Sequence, residues 1–346
     1  MESILVTGGA GFVGSHAAEY YAKQGLRVTI LDDLSRAKTL PSALKDRRTR
    51  EYNWNYLERF PNVKRVRGSI LDGKTLGRAA KGVDVILHAA AQVAVTSSLT
   101  DPRNDFLVNA QGTFQTLEAA RKNDSALVYC STNKVYGEAV NAFPLVEGKT
   151  RYALRDHPLG VDESVRVDLA PHTPYGASKL AGDLYTQEYG HTYGLKTAVF
   201  RMSCIYGTRQ FGNEDQGWVS HFILRTLRKE GITIYGDGKQ VRDALFVSDL
   251  VRAYDAFLNS RVKIGLYNVG GGPKSTTSLL ELVRLLNRKT RRKIPITFAK
   301  WRPSDQKVYI SDVRKLKKEL GWYPRTTLEQ GVDRFLKWYA ASGFLG

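Results

Sequence analysis

Residues 7–15 read TGGAGFVGS and lie between an apolar run, SILVTG, and an amphipathic segment, FVGSHAAEYYAKQ. Gly8, Gly11 and Gly14 recur every third residue, a spacing with which a strand can turn sharply into a helix. Backbone that carries no Cβ can approach a pyrophosphate closely, and the N-terminus of the helix then presents N–H groups to it. The motif therefore predicts a strand–turn–helix unit that binds a dinucleotide.

The next strand-like run, RVTILD, ends at Asp32 and is followed by a second acidic residue, Asp33. Asp32 falls where a carboxylate can accept hydrogen bonds from both ribose hydroxyls of an adenosine. A negative charge at this point repels a 2′-phosphate, so NAD is predicted in preference to NADP. Arg36 follows closely, and a guanidinium near this position relaxes such a preference.

Apolar runs alternate with amphipathic segments through residue 203. The alternation predicts an α/β fold, a Rossmann-type doubly wound parallel sheet. Beyond it the strands shorten and glycine clusters appear, which indicates a smaller mixed α/β C-terminal lobe for the substrate. We assign residues 1–205 to the NAD-binding domain, with segments near 240–270 returning to it, and residues 206–346 to the substrate lobe.

Charge and cysteine content narrow the class of protein. The net charge is +18, but the basic runs at 45–50 and 287–293 have no interleaved aromatic residues and are interpreted as solvated faces. We therefore expect no nucleic-acid partner. Because there is no long apolar stretch and no charged leader, we also expect no membrane partner and a cytoplasmic location. Cys130 and Cys204 lie in apolar runs, so buried thiols are predicted and a metal site is not.

The segment YGASK places Tyr175 and Lys179 four residues apart, on one face of a helix. We expect the lysine charge to depress the pKa of the phenol, so that it can exchange a proton near neutral pH. Thr132 ends the strand-like run ALVYCST and would hold the reacting oxygen with its hydroxyl. Together these three residues predict proton and hydride exchange at an alcohol.

These motifs resemble the extended short-chain dehydrogenase/reductases that act on nucleotide-diphosphate sugars. The resemblance covers the whole chain, since TGGAGFVGS, LDDLSR, HAAAQ, PYGASK, FRMSCIYG, GDGKQVRD and RPSDQ follow the order of that family. It implies NAD as the cofactor, a nucleotide-diphosphate sugar as the small-molecule partner and, by analogy, a homodimer or homotetramer. The residues it implies for the cofactor are Gly8, Gly11, Phe12, Val13, Gly14, Asp32, Asp33, Leu34, Ser35, Arg36, Ser69, Ile70, Ala89, Ala90, Gln92, Asn109, Tyr175, Lys179, Arg201 and Ser203.

Within this family, STNKVYG, YGTRQFGNEDQGWV and GKQVRD look most like the 2-epimerases that interconvert CDP-paratose and CDP-tyvelose. The family's 4,6-dehydratases usually carry Asp-Glu after the threonine, where this chain has Asn133 and Lys134. An amide has no titratable proton and an ammonium is a poor base, so elimination is not expected. The resemblance implies oxidation at C2, rotation of the 2-keto sugar and re-reduction.

The second lobe offers cations for a diphosphate and aromatic rings for a base or sugar. The predicted substrate residues are Thr132, Asn133, Lys134, Arg209, Gln216, Trp218, Val219, Tyr235, Arg242, Arg302 and Asp305. Cytidine is what the resemblance implies, with guanosine as a competitor, so CDP-glucose and GDP-mannose stay open as substrates. Two other functions also stay open: a 4-epimerase with the same cofactor residues, and a non-catalytic NAD-binding scaffold with a basic surface.

Overall fold

A computed structural model of the chain describes residues 1–35, 49, 51–302 and 304–344. Arg36 and most of the basic run at 45–50 lie outside the described residues. Within them the strands are β1 (Ser3–Thr7), β2 (Arg27–Asp32), β3 (Val63–Arg67), β4 (Val85–His88), β5 (Ala126–Thr132), β6 (Leu145–Glu147), β7 (Tyr152–Leu154), β8 (Thr197–Met202), β9 (Cys204–Tyr206), β10 (Ile232–Tyr235), β11 (Val241–Phe246), β12 (Ile264–Val269), β13 (Thr276–Ser278), β14 (Ile296–Ala299) and β15 (Val308–Tyr309). The α-helices are α1 (Phe12–Lys23), α2 (Tyr52–Tyr56), α3 (Gly73–Ala80), α4 (Val95–Thr100), α5 (Pro102–Phe106), α6 (Gly112–Asn123), α7 (Pro174–Tyr193), α8 (Trp218–Leu227), α9 (Val247–Leu258), α10 (Leu279–Thr290), α11 (Arg314–Leu320) and α12 (Leu328–Ala341).

The chain divides into two compact units, each made of three segments. The first unit consists of Met1–Val135, Thr173–Arg201 and Val251–Tyr267. The second consists of Tyr136–His172, Met202–Leu250 and Asn268–Gly346.

The first unit is built on a seven-stranded sheet in the order β12-β8-β5-β4-β1-β2-β3. The registered pairs from β3 through β5 are all parallel. Leu5, Ile86 and Leu127 lie fully buried in the core beside the sheet. The predicted Rossmann-type fold is confirmed, and the strand order reverses between β1 and β4, where such sheets bind their ligands.

Helix α7 is defined at both ends by its sequence. The Thr173 hydroxyl accepts the N–H of Gly176, Pro174 occupies the first turn, and Gly194 ends the helix in the left-handed conformation. Tyr175 therefore lies in the first turn. None of the helices among the described residues is long and apolar enough to span a bilayer.

A π-helical turn, Leu107–Gln111, interrupts the helical stretch that begins with α5 and continues as α6. Such a turn accommodates one more residue than a regular α-helical turn, so the side chains before and after it are rotated relative to each other. Asn109 lies within it.

The second unit is centred on β11, which pairs with β9, β13 and β15. Segment 136–172 belongs to this unit, although the sequence placed all of residues 1–205 in the first. The physical reason is its hydrogen bonding: the N–H of Tyr152 donates to Lys239 O at 2.9 Å, and that of Val161 donates to Ile310 O at 2.7 Å.

A buried ion pair joins α7 to β8 in the first unit. Arg201 donates to both carboxylate oxygens of Asp183, at 2.9 and 3.1 Å. Their side chains are 3% and 0% exposed. The hydroxyl of Ser131 and the amide of Gln187 complete the shell of the carboxylate. Arg201, predicted to contact the cofactor, therefore commits its guanidinium to Asp183.

We expect Arg201→Met to lower the free energy of unfolding by about 3–5 kcal/mol, because it leaves a buried carboxylate without its counter-charge. Urea denaturation followed by circular dichroism measures this. Arg121→Met is the matched control, since it breaks an exposed pair with Glu118 and should change stability little. Equal losses in the two variants would contradict the role of burial.

Candidate active site

The glycine turn between β1 and α1 is packed too tightly for side chains. Gly8 has a left-handed φ of +69°, and a Cβ there would lie 2.6 Å from the N atom of Ala90. A Cβ on Gly14 would collide with the carbonyl oxygen of Gly8. Helix α1 begins at Phe12 without a side-chain cap, so its first N–H groups can receive an anion. This cradle fits the pyrophosphate of a dinucleotide.

The carboxylate of Asp32 lies at the end of β2 beside this turn. Its Oδ2 accepts the N–H of Ala10 at 2.9 Å, and its Oδ1 accepts that of Leu34 at 2.8 Å. Each carboxylate oxygen has two lone pairs, so the group can also accept ribose hydroxyls. Asp33 makes a similar bond to the N–H of Ser35. The residues predicted for the adenosine are thus held in place by backbone N–H groups.

The remaining cofactor predictions divide into two groups. Ala89 and Ala90 lie directly against Gly8, and Ile70 is buried against Gly112. In the second group the side chains are committed elsewhere. The side-chain amide of Asn109 hydrogen-bonds the backbone N–H and carbonyl oxygen of Gln92. Arg201 pairs with Asp183. The Ser69 hydroxyl accepts the N–H of Leu71, and the Ser203 hydroxyl donates to Asp243. Cofactor contact by either group stays a prediction.

Thr132, Tyr175 and Lys179 come together within the first unit. Tyr175 is buried in the first turn of α7, and the Thr132 hydroxyl is close enough to affect its phenol. Burial raises the pKa of Tyr175 to about 12, the interaction with the Thr132 hydroxyl lowers it, and the charge of Asp105 adds to the rise. The expectation of a depressed pKa is wrong for this phenol, because the free-energy cost of burying a phenolate is the largest effect and the charge of Lys179 is not among the influences that lower the pKa.

Lys179 is 2% exposed, and its ammonium group has two defined neighbours. Its Nζ donates to the carbonyl oxygen of Cys130 at 2.7 Å and lies 4.2 Å from the centroid of the Tyr129 ring. Burial lowers the pKa of Lys179 to about 8, so the group is close to titrating in the physiological range. It can therefore act as a cation that responds to nearby charge.

His88 stacks on the Tyr129 ring, with the two ring centroids 5.7 Å apart. Its two ring nitrogens are bonded to the hydroxyls of Thr7 and Thr113, at 2.7 and 3.0 Å. Burial lowers the pKa of His88 to about 3, and the charge of Lys179 adds to this. The ring is neutral at neutral pH and acts as a packing element.

Asn133 and Lys134 follow Thr132 in a 3₁₀ turn. Thr132 Oγ1 lies 3.4 Å from Asn133 Oδ1, and the backbone N–H of Lys134 donates to Thr132 Oγ1 at 3.3 Å. Both residues therefore help to hold the threonine hydroxyl, and their predicted contacts with a sugar stay predictions.

The cations predicted for a diphosphate lie in the second unit. Arg242 pairs with Asp305 at 2.8 Å and also donates to the carbonyl oxygen of Val241. The guanidinium of Arg302 lies 4.1 Å above the Tyr235 ring and donates to Glu214 O at 2.8 Å. Stacking and hydrogen bonding thus preorganise both guanidinium groups.

The other predicted substrate residues of this unit differ in accessibility. The Trp218 indole N–H donates to the Cys204 sulfur at 3.1 Å. The backbone N–H of Gln216 donates to the Asn213 side chain and closes a short turn. Val219 of α8 is buried. Arg209 is also buried and has a left-handed φ of +60°. The side chain of Val219 packs inside its unit, so a substrate contact through it stays a prediction.

Sequence reasoning missed Asp105 and Ser178, which bond to each other beneath the turn that carries Tyr175 and Lys179. The signals were weak: Asp105 precedes Asn109 by one helical turn, and Ser178 is adjacent to Lys179. Among the described residues there is no cluster of three or more His, Cys, Asp or Glu side chains that could hold a metal ion.

The chain is similar in sequence and in structure to known sugar-nucleotide epimerases. The profile of a family described as NAD dependent epimerase/dehydratase matches residues 4–270. The CDP-paratose 2-epimerase of Salmonella typhi is 37% identical, over 97% of this chain and 98% of that protein. A putative UDP-glucose 4-epimerase of Methanocaldococcus jannaschii is 33% identical over 97% of each chain. The solved UDP-glucuronic acid 4-epimerase from Bacillus cereus, in complex with UDP-glucuronic acid and NAD, has a TM-score of 0.81 at 26% identity, over 98% of this chain and 99% of that one.

NAD is the cofactor of this protein, in agreement with the glycine cradle and the Asp32 carboxylate. We expect Gly14→Ala to weaken NAD binding more than about tenfold, because the new methyl group would push the Gly8 carbonyl into the cradle. Calorimetric titration with NAD measures this.

Gly77→Ala is the matched control, because nothing lies within 4 Å of a Cβ at that position in α3. It should bind NAD as the unaltered protein does and melt at the same or a higher temperature. Unchanged affinity in Gly14→Ala would show that the cradle tolerates a side chain.

Proposed function

The chain belongs to the NAD dependent epimerase/dehydratase family, and we propose that it epimerises C2 of a CDP-hexose of the paratose/tyvelose type. The observation that carries the proposal is the 37% identity to a CDP-paratose 2-epimerase over 97% of this chain. The local sequence STNKVYG supports it, because it lacks the acid–base pair of the dehydratases.

Thr132, Tyr175 and Lys179 would perform the proton chemistry. NAD, when bound, accepts a hydride from the sugar carbon and returns it, and its positive ring favours the phenolate. Tyr175 takes the proton of the C2 hydroxyl and later gives it back, while Thr132 hydrogen-bonds the same oxygen. Lys179 supplies a fixed positive charge one helical turn away. Burial raises the pKa of Tyr175, so the phenol must lose its own proton before it can accept that of the C2 hydroxyl, and the positive charge of bound NAD would favour this loss.

The nature of Asn133 and Lys134 argues against elimination of water. Asn133 is buried and carries no titratable proton. The backbone N–H of Lys134 supports the Thr132 hydroxyl. These residues thus favour a reaction that oxidises and re-reduces the sugar without removing water from it.

Arg242 and Arg302 of the second unit would hold the diphosphate. A guanidinium can bind two phosphate oxygens at once. The guanidinium group of Arg242 is paired with the Asp305 carboxylate in this structure, so a phosphate would have to compete with that carboxylate for the guanidinium group. A sugar held by its diphosphate can turn its ring and present the opposite face of C2 without leaving the protein.

Incubation with CDP-tyvelose in heavy water tests the proposal. We expect CDP-paratose to form with the original hydrogen at C2, because the hydride that leaves is the one that returns. NMR of the product identifies both the inverted carbon and the isotope. Deuterium at C2 would contradict the redox route, and the absence of C2 inversion with CDP-tyvelose, CDP-glucose and GDP-mannose would contradict the 2-epimerase.

Tyr175→Phe should lower turnover by about 10²–10⁴-fold while NAD stays bound, because it removes the proton carrier alone. Tyr193→Phe, at the exposed end of the same helix, is the control and should turn over normally.

A 4-epimerase is the second candidate, favoured by the M. jannaschii relative and the B. cereus structure. It would use the same three residues with C4 in place of C2. Incubation with UDP-glucose, followed by the same NMR analysis, separates the two.

We further propose a homodimer formed through an outer helix face made of Phe106, Phe114, Leu184 and Tyr185. These apolar side chains on α5, α6 and α7 are between 43% and 58% exposed, and the rings of Phe114 and Tyr185 are in contact at 5.9 Å. Exposed apolar side chains that adjoin one another commonly mark an interface.

Leu184→Glu should convert the dimer into a monomer, as measured by light scattering on a sizing column, because it places a charge in the apolar face. Leu169→Glu is the control, since Leu169 is 87% exposed and lies in the second unit. A monomeric unaltered protein, or a dimer that persists in Leu184→Glu, would contradict this interface.

A further inference from the structure

Asp105 is a carboxylate with no exposed surface in the first unit, and neither the motifs nor the proposed reaction gives it a role. It lies on α5, just before the π-helical turn. Its Oδ1 accepts the amide N–H groups of Gln92 at 2.6 Å and Asn109 at 3.2 Å, and its Oδ2 accepts the Ser178 hydroxyl. The carboxylate thus links the loop after β4, the π turn and α7.

The orientation of both amides is fixed by backbone groups. Asn109 accepts the N–H of Gln92 through Oδ1 and donates to Gln92 O through Nδ2, at 2.9 and 3.0 Å. Gln92 does the same with Ala94: it accepts the N–H at 2.6 Å and donates to the carbonyl oxygen at 2.9 Å. Each NH₂ group therefore points at Asp105, so that Oδ1 receives two donors and Oδ2 a third, the Ser178 hydroxyl. Burial raises the pKa of Asp105, while the hydrogen bonds from Ser178 and Gln92 and the charge of Lys179 act in the opposite direction and favour the ionised form.

Ser178 connects this charge to the proposed catalytic turn of α7. It follows Tyr175 by three residues and precedes Lys179 directly, and its hydroxyl lies 3.1 Å from the carbonyl oxygen of Tyr175. Asn109 also donates to the Ser178 oxygen at 3.1 Å. Asp105 and Asn109 together therefore hold the one turn of helix from which the phenol and the ammonium group project.

The other titratable groups around the phenol are neutral or paired. Tyr129 and Cys130 of β5 have pKa values that burial raises, to about 11 for the thiol, and His88 of β4 is neutral. Asp183 of α7 is paired with Arg201. The nearby cations are Lys179 of α7 and Lys134 of the 3₁₀ turn that follows β5. The field of Asp105 acts on Tyr175, where it disfavours the phenolate, and on Lys179, where it favours the ammonium form.

We propose that Asp105 is a positioning residue for this reaction: through Ser178 it holds the turn that carries Tyr175 and Lys179, and its charge sets the pH range in which the pair works. The inference rests on the proposed redox epimerisation but not on which carbon is inverted. It assigns a function to a buried carboxylate that acts through Ser178 on the turn that carries the reacting side chains.

Asp105→Asn removes the charge and can keep the hydrogen bonds. Its oxygen can still accept from Gln92 and Asn109, and its new amide can donate to the Ser178 oxygen, which then donates to Tyr175 O. With the negative charge gone, the phenolate forms at lower pH and the ammonium group loses its proton at lower pH. We therefore expect both limbs of the pH profile of kcat/KM to move to lower pH, with NAD affinity unchanged.

Ser178→Ala separates position from charge. It keeps the carboxylate but removes its bond to α7, so kcat should fall about tenfold or more, because small misplacements of reacting groups cost this much, while the limbs stay where they are. Asp101 is an exposed carboxylate that caps the start of α5, and asparagine can replace it as a helix cap. Asp101→Asn should therefore change neither kcat nor the limbs of the pH profile.

Coincident pH profiles for Asp105→Asn and the unaltered protein, or an unchanged kcat in Ser178→Ala, would overturn the proposal. If Asp105→Asn does not fold, the kcat of Ser178→Ala decides the question. The profiles are measured on whichever nucleotide sugar the unaltered protein inverts, at C2 or C4, so failure of the C2 assignment is seen separately in the position of the inverted carbon.

Discussion

The removal of the Lys179 ammonium group from water is the constraint on which the candidate site depends. Burying a cation is costly unless polar groups replace its hydration, and here the Cys130 carbonyl oxygen and the face of the Tyr129 ring do so. Both come from β5, so the ammonium group is fixed to the sheet as well as to its own helix. The same strand ends in Thr132, and the phenol, the hydroxyl and the cation are therefore positioned by one strand and one helix.

Local chemistry explains why much of this could be predicted from sequence. The glycine turn has few structural solutions, because only backbone without side chains can pack as Gly8 and Gly14 do. The spacing of Tyr175 and Lys179 determines their common face in any helix. The alternation of strands and helices was enough to predict the parallel sheet, which the structure confirms.

Properties that depend on distant packing could not be predicted. The direction of the Tyr175 pKa follows from burial, which no spacing encodes. Arg201 looked like a cofactor residue within FRMSCIYG, but its partner Asp183 is known only once α7 lies against β8. Segment 136–172 follows β5 in sequence, yet its backbone hydrogen bonds attach it to the second unit. Asp105 was invisible for the same reason, because its donors come from three separate segments.

The π-helical turn at Leu107–Gln111 has a consequence for how this region can change. If it became a regular α-helical turn with all its residues kept, α5 would rotate by about 100° relative to α6. Asp105 would then swing away from Ser178, although every side chain of the network was still encoded. The network therefore depends on the backbone form of this turn as well as on the side chains that it carries.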